Sequence, residues 1–290
     1  MKYGNWIFYL FILGQSLVYG FGNPMTKVAY ESITPLWMLA ARFTLAFLIM
    51  MILFGNRVIK ALRNTKPGLW IPSALCCAGA YISCNLALDL TSATNVGFIM
   101  SLPVLFAPLL SMVFLKKKYQ IRRLPVQLVA ILGLFFLCCN GGYFSFGPGE
   151  ALALFEALCL AGFLVFGEKA MDEMDVMALT TLQVGVTAVI SVSFAFIGDD
   201  VSVLAGVTPV SWGIVGYLAI ACTIVAYLLQ NTAVRHLSST TVSMLQCTQP
   251  ILTAFASYLL LGETLTHLGL LGAVMIVCCL VADSVIASKQ

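Results

Sequence analysis

Two side chains that carry a full charge lie deep inside long apolar stretches of the sequence. Arg42 stands within the stretch 35–54, and Glu156 stands near the middle of the stretch 149–167. On membrane-insertion scales such a group costs at least ~2.5–3.5 kcal/mol, so each needs a reason to be there. Arg42 could bind a carboxylate, pair with Glu156 or extend its stem to the surface. Glu156 could be a counter-ion for an amine, a proton carrier or a structural carboxyl.

Uncharged polar side chains form a stripe within another apolar stretch. Gln15, Tyr19 and Asn23 are four residues apart, which places them on one face of a helix. Tyr81 and Asn85 have the same spacing in a third stretch. Either set could line a cavity or form hydrogen bonds between helices, and both alternatives stay open.

Prolines at three places are expected to break helices. Gln246 and Gln249 lie one turn apart directly before Pro250, which has no N–H and frees a carbonyl near position 246. The two amides beside this bend could line a binding cavity or join helices. Pro103 and Pro24 are the other two expected helix breaks.

The composition explains why buried charges are informative in this chain. Of its 290 residues, 61% are hydrophobic and only 9% are charged, against about 25% in an ordinary soluble domain. With 15 basic and 12 acidic residues the chain cannot cover a water-facing surface of its size. These values exclude a soluble enzyme, a disordered chain and a nucleic-acid-binding domain, and they leave lipid as the solvent.

The motifs of common membrane enzymes and pumps are missing from the sequence. It contains no GxxxxGK[ST], HExxH or GxSxG pattern, and none of its ten cysteines has metal-ligand spacing. We therefore expect no enzymatic activity, no cofactor and no bound metal.

Apolar runs of membrane-spanning length predict an all-α integral membrane protein with ten transmembrane helices. The predicted spans are 5–22, 35–54, 68–88, 94–115, 124–140, 149–167, 177–197, 210–231, 239–261 and 266–286. With the N-terminus inside, 13 of the 15 basic residues fall on the inner side, and only Lys27 falls outside. Since Lys and Arg concentrate in cytoplasmic loops, we predict a multi-pass protein of the inner (plasma) membrane with both termini cytoplasmic.

Two halves of the chain repeat each other. Leu90-Thr91-Ser92-Ala93-Thr94 precedes Pro103, and Leu237-Ser238-Ser239-Thr240-Thr241 precedes Pro250 at a constant separation of 147 residues. This predicts a first repeat over 1–146 and a second over 147–290, with five spans each. An odd number of spans inverts the second copy, and inverted repeats place a transporter's substrate site where the copies meet.

These features resemble the drug/metabolite transporter superfamily in its EamA-type branch. The segment Leu261-Gly262-Glu263-Thr264-Leu265-Thr266 is similar to the family's Gly-Glu turn, and Gly20-Phe21-Gly22-Asn23-Pro24 is similar to the end of its first span. The first repeat departs from the pattern, with Lys116-Lys117-Lys118 where the Glu of that turn would fall. The resemblance implies a secondary transporter that exports amino acids, metabolites or drugs by alternating access.

Two other functions stay open at this point. One is uptake of an organic cation such as choline or a polyamine, with Glu156 as its counter-ion. The other is a non-transporting membrane enzyme or accessory subunit. The expected partners are a small-molecule substrate and the lipid bilayer, without nucleic acid; proton coupling and oligomeric state are open. The candidate substrate-binding residues are Gln15, Tyr19, Arg42, Tyr81, Glu156, Gln246 and Gln249.

Overall fold

The computed structural model describes residues 6–91, 96, 98–138, 147–261 and 266–288, and within these ranges it contains helices and no strand. The helices are α1 (Trp6–Ala29), α2 (Pro35–Asn64), α3 (Pro67–Leu90), α4 (Pro103–Phe114), α5 (Leu124–Cys138), α6 (Pro148–Ala170), α7 (Val176–Gly198), α8 (Pro209–Leu237), α9 (Ser239–Gln246), α10 (Gln249–Leu261) and α11 (His267–Ser288). The predicted Gly262-Glu263 turn, the repeat residues 92–95 and the terminal Lys2 and Lys289 lie outside the described residues.

Within the described ranges, five helices are long and apolar enough to cross a membrane: α2, α3, α6, α7 and α8. Their outer faces carry large apolar side chains, such as Ile52 at 84% exposure and Ile197 at 86%. Such exposure is unfavourable in water and favourable against lipid tails. The fold is therefore that of a helical membrane protein, whereas the count of ten spans stays a prediction.

Proline and hydroxyl or carboxylate caps set where the helices begin. Pro35, Pro67, Pro148 and Pro209 each occupy the first turn of a helix, where the missing N–H costs nothing. Asp200 caps the short 3₁₀ turn Val201–Gly206 by accepting the Ser202 N–H at 2.9 Å, which lowers the pKa of that carboxyl. Capped starts permit the short loops that a tightly connected bundle needs.

Helices are interrupted at equivalent places in the two halves of the chain. A turn at 100–102 precedes α4, which begins at Pro103, and Cys247 and Thr248 separate α9 from α10, whose second residue is Pro250. Pro24 does not have the expected effect, because α1 continues through it to Ala29. One proline removes a single helical hydrogen bond, and that loss does not end a helix that is packed on neighbours.

The helices pack in pairs that match when the two halves are exchanged. The α3–α6 pair corresponds to α8–α1, and the contact of α4 with α6 corresponds to the contacts of α9 and α10 with α1. The α2–α7 and α5–α11 pairs each correspond to themselves. This exchange of contacts is what two related units are expected to show. Polar side chains form hydrogen bonds between α1 and α8, α1 and α3, and α2 and α8.

Candidate functional site

Arg42 lies on α2 and points its guanidinium at a distorted turn of α8. Nε donates to Thr223 Oγ1 at 2.8 Å, and Nη2 donates to the Cys222 carbonyl at 3.1 Å. Both acceptors belong to the π-helical segment Ile220–Val225. A π turn moves carbonyls away from the regular ladder, so the Cys222 oxygen is available to a side chain. The distortion of α8 thus holds the charged group of α2.

Aromatic rings surround the same guanidinium. Its central carbon lies 5.3 Å from the ring centroid of Phe43 and 5.4 Å from that of Tyr81, within the range of cation–π attraction. The hydroxyls of Tyr19 and Tyr81 are 3.0 Å apart, which joins α1 to α3. Tyr227 of α8 packs against Phe43 and Tyr81. The Tyr227 side chain is 1% exposed, so it belongs to this buried aromatic group rather than to the membrane surface.

In the part of the chain that the structure describes, no acidic side chain forms an ion pair with Arg42. It is 7% exposed, and Nη1 has no hydrogen-bond partner among the described residues. The described ion pairs involve other residues, namely Arg57–Asp175, Lys117–Glu168 and Arg123–Asp283. A buried cation that has only neutral partners strongly favours the approach of an anion.

Glu156 lies on α6 and is also buried, with no counter-ion among the described side chains. It is 3% exposed, and its Oε2 has no hydrogen-bond partner. The Cys84 thiol of α3 lies beside this carboxyl. Arg42 and Glu156 do not pair with each other, because the ion pairs of the described residues join other side chains. Among the described residues, each of these two buried ionisable groups thus lacks a partner of opposite charge.

Three glutamines from three helices form a hydrogen-bonded group. Gln15 Nε2 of α1 donates to Gln230 Oε1 of α8 at 2.5 Å, and Gln246 Nε2 of α9 donates to the same oxygen at 2.9 Å. Gln246 Nε2 also lies 3.5 Å from Gln15 Oε1. Gln15 and Gln246 were expected from the sequence as site residues, whereas Gln230 was not. Its amide within the apolar run 210–231 was the available signal.

The other predicted polar residues lie outside this glutamine triad. Gln249 begins α10 and makes no hydrogen bond among the described residues. Asn85 accepts a hydrogen bond from Tyr30 Oη at 2.8 Å and donates to the Tyr81 carbonyl at 2.7 Å. The side chain of Asn23 lies outside the described part of the structure.

A second buried polar network joins α3, α7 and α8. Gln183 Nε2 donates to Ser73 Oγ at 2.7 Å, and Asn231 Nδ2 donates to Gln183 Oε1 at 2.7 Å and to Thr180 Oγ1 at 2.8 Å. Every one of these side chains is buried and bonded, so the network stabilises helix packing. This network does not follow from the sequence, because single polar residues in long apolar runs do not reveal their partners.

Metal-binding clusters are not found in the part of the chain that the structure describes. No group of three or more His, Cys, Asp or Glu side chains is placed to hold an ion there. The site therefore offers charge, aromatic surface and amide groups as its means of recognition.

Comparison with known proteins gives a family match over both halves of the chain. The model of the EamA-like transporter family matches residues 6–139 and 147–282. One solved crystal structure superimposes with a TM-score of 0.83 at 16% identity, over 97% of this chain and 98% of the other. At that identity the superposition shows a shared fold alone.

Curated relatives are named as transporters. The chain is 24% identical to the uncharacterized transporter YyaM of Bacillus subtilis over 96% of its own length and 92% of the relative. It is 34% identical to an uncharacterized transporter of Archaeoglobus fulgidus over 49% of its own length and 43% of the relative. It is 31% identical to the threonine/homoserine exporter RhtA of Salmonella typhimurium over 56% of its length and 54% of the exporter. The last two matches thus cover about half of each relative.

Proposed function

Because the chain belongs to the EamA-like transporter family of the drug/metabolite transporter superfamily, we propose that it exports small amino-acid-like metabolites by alternating access. Arg42 binds the carboxylate of the substrate, and Glu156 binds its ammonium group. The relative named as a threonine/homoserine exporter supports both the substrate class and the direction of transport.

The buried and unneutralised Arg42 is the observation that carries this proposal. Thr223, Cys222 and two aromatic rings fix the guanidinium in place, yet Nη1 keeps a donor free. A fixed planar fork suits a carboxylate better than a flexible ammonium would. The substrate's carboxylate supplies the negative charge that the protein itself does not provide.

Glu156 extends the proposal from a carboxylate to a zwitterion. Its Oε2 has no hydrogen-bond partner, and an isolated buried carboxylate is unfavourable. Glu156 would therefore be stabilised by a positively charged group, as Arg42 would be by a negatively charged one. A molecule with both an ammonium and a carboxylate satisfies both groups at once. A site near the plane where inverted repeats meet also suits rocking of one half against the other.

Efflux from proteoliposomes tests the role of Arg42. Vesicles loaded with labelled threonine or homoserine are compared for the wild type, Arg42→Lys, Arg42→Gln and the control Arg57→Gln on the same helix. Arg57 is an exposed residue whose partner is Asp175, so its loss should leave efflux unchanged. We expect Arg42→Gln to raise the KM by at least about tenfold, which corresponds to ~1.4 kcal/mol.

Folding is controlled in the same samples by thermal stabilisation. Threonine should raise the Tm of the wild type and of Arg57→Gln but not of Arg42→Gln, because only a bound ligand stabilises the folded state. A folded Arg42→Gln protein that keeps the wild-type KM and Tm shift would overturn the assignment.

Organic-cation transport is the second candidate, and unpartnered Glu156 favours it. Choline and putrescine efflux is measured with Glu156→Gln and Arg42→Gln. Flux of these cations that requires Glu156 and ignores Arg42 would replace the amino-acid proposal. Flux of threonine that requires both Glu156 and Arg42 would support the amino-acid proposal.

A further inference from the structure

A cavity of about 370 Å³ opens at the end of the bundle that the charge distribution predicts to be cytoplasmic. It lies between the start of α1, the end of α4, the α4–α5 loop, the end of α8 and the start of α9. Its lining includes Tyr9, Lys117, Lys118, Arg123, His236 and Thr241. This volume is enough for a small metabolite.

The fully charged side chains in this lining are all cationic. They are Lys117, Lys118 and Arg123, and no Asp or Glu side chain belongs to the lining. Glu168 contacts Lys117 from outside the lining, and Asp283 lies 3.5 Å from Arg123 Nε. Lys118 has no ion-pair partner among the described residues. The cavity therefore keeps a net positive charge after its ion pairs are counted.

Arg123 gives the cavity a buried hydrogen-bond donor. Its side chain is 8% exposed, and Nε lacks a hydrogen bond although Asp283 is near. Nη1 reaches Thr241 Oγ1 at 3.5 Å, which directs the guanidinium to the wall where Thr240 also presents a hydroxyl. The hydroxyls of Ser111 and Ser238 in the same wall are bonded to Ser239 and Thr241. Guanidinium, ammonium and hydroxyl donors together are the groups that bind carboxylates and phosphates.

The helices that bound the cavity also carry the three glutamines of the triad. Gln15 follows Tyr9 by six residues, Gln230 precedes His236 by six, and Gln246 follows Thr241 by five. At 1.5 Å per residue, each amide lies roughly 8–9 Å deeper along a helix that bounds the cavity. Tyr19 lies one further turn along α1. The triad thus separates the cavity from the Arg42 site.

We propose that this cavity is an anion-capture site on the cytoplasmic side, and that it binds the carboxylate of a small soluble molecule. Lys118 and Arg123 attract the carboxylate, and the glutamine triad closes the route to Arg42. The place on a transport route rests on the proposed function, whereas the anion site rests on the cavity alone.

Charge-selective labelling tests the cavity without knowledge of the transported molecule. Thr240→Cys places a thiol in the lining, and the protein is treated in inside-out vesicles with a sulfonate-bearing or a trimethylammonium-bearing methanethiosulfonate. The parent protein supplies the background of native cysteines. We expect the anionic reagent to react faster relative to the cationic one, and Lys118→Gln to reduce that ratio about three- to fivefold.

Lys116→Gln is the matched control, because it removes the same charge from the same loop at a residue outside the lining. Its effect on the ratio should be less than half that of Lys118→Gln. Equal effects of the two variants, or a ratio that favours the cationic reagent, would overturn the anion site.

Two lipid compositions identify the source of the anion. In neutral phosphatidylcholine vesicles, acetate at constant ionic strength should slow labelling of Thr240→Cys, and Lys118→Gln should weaken that protection. Protection that requires phosphatidylglycerol and is absent with acetate would assign the site to a lipid headgroup and refute capture of a soluble carboxylate. These labelling experiments use no Arg42 variant. They would therefore still test the anion site if the amino-acid proposal failed.

Discussion

The Nε of Arg42 donates to Thr223 Oγ1 at 2.8 Å across the α2–α8 interface, and the same hydroxyl donates to the Leu218 carbonyl at 3.0 Å. Thr223 therefore joins the guanidinium to the helical turn that precedes the π segment. The hydroxyl uses its acceptor for the charge and its donor for the backbone, so its orientation is fixed. One threonine thus positions the charged group that we propose as the carboxylate ligand.

Thr223→Val should weaken substrate binding while the fold persists. Valine has nearly the same shape but cannot accept the Arg42 hydrogen bond, and a bond to a charged group contributes ~1.5–3 kcal/mol. We expect the KM for the carboxylate substrate to rise at least about tenfold in proteoliposome efflux assays. Thr223→Ser keeps the hydroxyl and is the control. Equal KM values for the two variants would show that the hydroxyl does not position Arg42.

Gly20→Ala should destabilise the protein because α1 passes very close to α10. A Cβ at Gly20 would lie 2.9 Å from the Leu252 carbonyl carbon, and backbone cannot move aside as a side chain can. We expect a cost of ~1–3 kcal/mol, measured as a lower Tm of the purified protein. Gly14→Ala on the same helix is the control, since nothing lies within 4 Å of its Cβ position. A Gly20→Ala protein as stable as Gly14→Ala would contradict the close approach.

The sequence predicts the elements of this structure better than it predicts their partners. Apolar run length locates the helices, and low charge identifies Arg42 and Glu156 as exceptions. The family expected from the resemblance is confirmed by the match over both halves. Run length does not give helix rotation, so neither the Gln230 contact with Gln15 nor the separation of Arg42 from Glu156 follows from spacing.

The π segment of α8 is the clearest case of a feature hidden from sequence reasoning. Residues Ile220–Val225 form an apolar run with one hydroxyl and no proline or glycine, so the sequence predicts a regular helix there. The extra residue in the turn is stabilised by tertiary contacts, because Arg42 takes the Cys222 carbonyl that the turn releases. The same limit applies to Pro24, where neighbours keep α1 helical.

Gln230→Leu should cost more than the loss of one hydrogen bond. Leucine is similar in size, but Gln15 and Gln246 would each lose the acceptor Oε1 in a buried place. An unsatisfied buried donor costs ~1–3 kcal/mol. We expect a lower Tm for Gln230→Leu, and partial recovery in the Gln15→Leu/Gln230→Leu double variant because fewer donors are then left unpaired. Additive losses in this double-mutant cycle would argue against a coupled triad.

Asp283→Asn and Asp175→Asn should differ sharply although each removes the charge of one ion-pair partner. The Arg123–Asp283 pair is buried, with side chains 8% and 5% exposed, whereas the Arg57–Asp175 side chains are 58% and 43% exposed. Loss of one member leaves an uncompensated buried cation in the first case, at a cost of ~3–5 kcal/mol. In the second case water and salt already screen the pair, so the cost is ~0–1 kcal/mol.

Tm measurements at low and high salt distinguish the two variants: the Asp175→Asn effect should vanish at high salt, and the Asp283→Asn effect should persist. An equally salt-sensitive loss in both variants would mean that water reaches Arg123, and its guanidinium would then not be the buried donor of the cytoplasmic-side cavity.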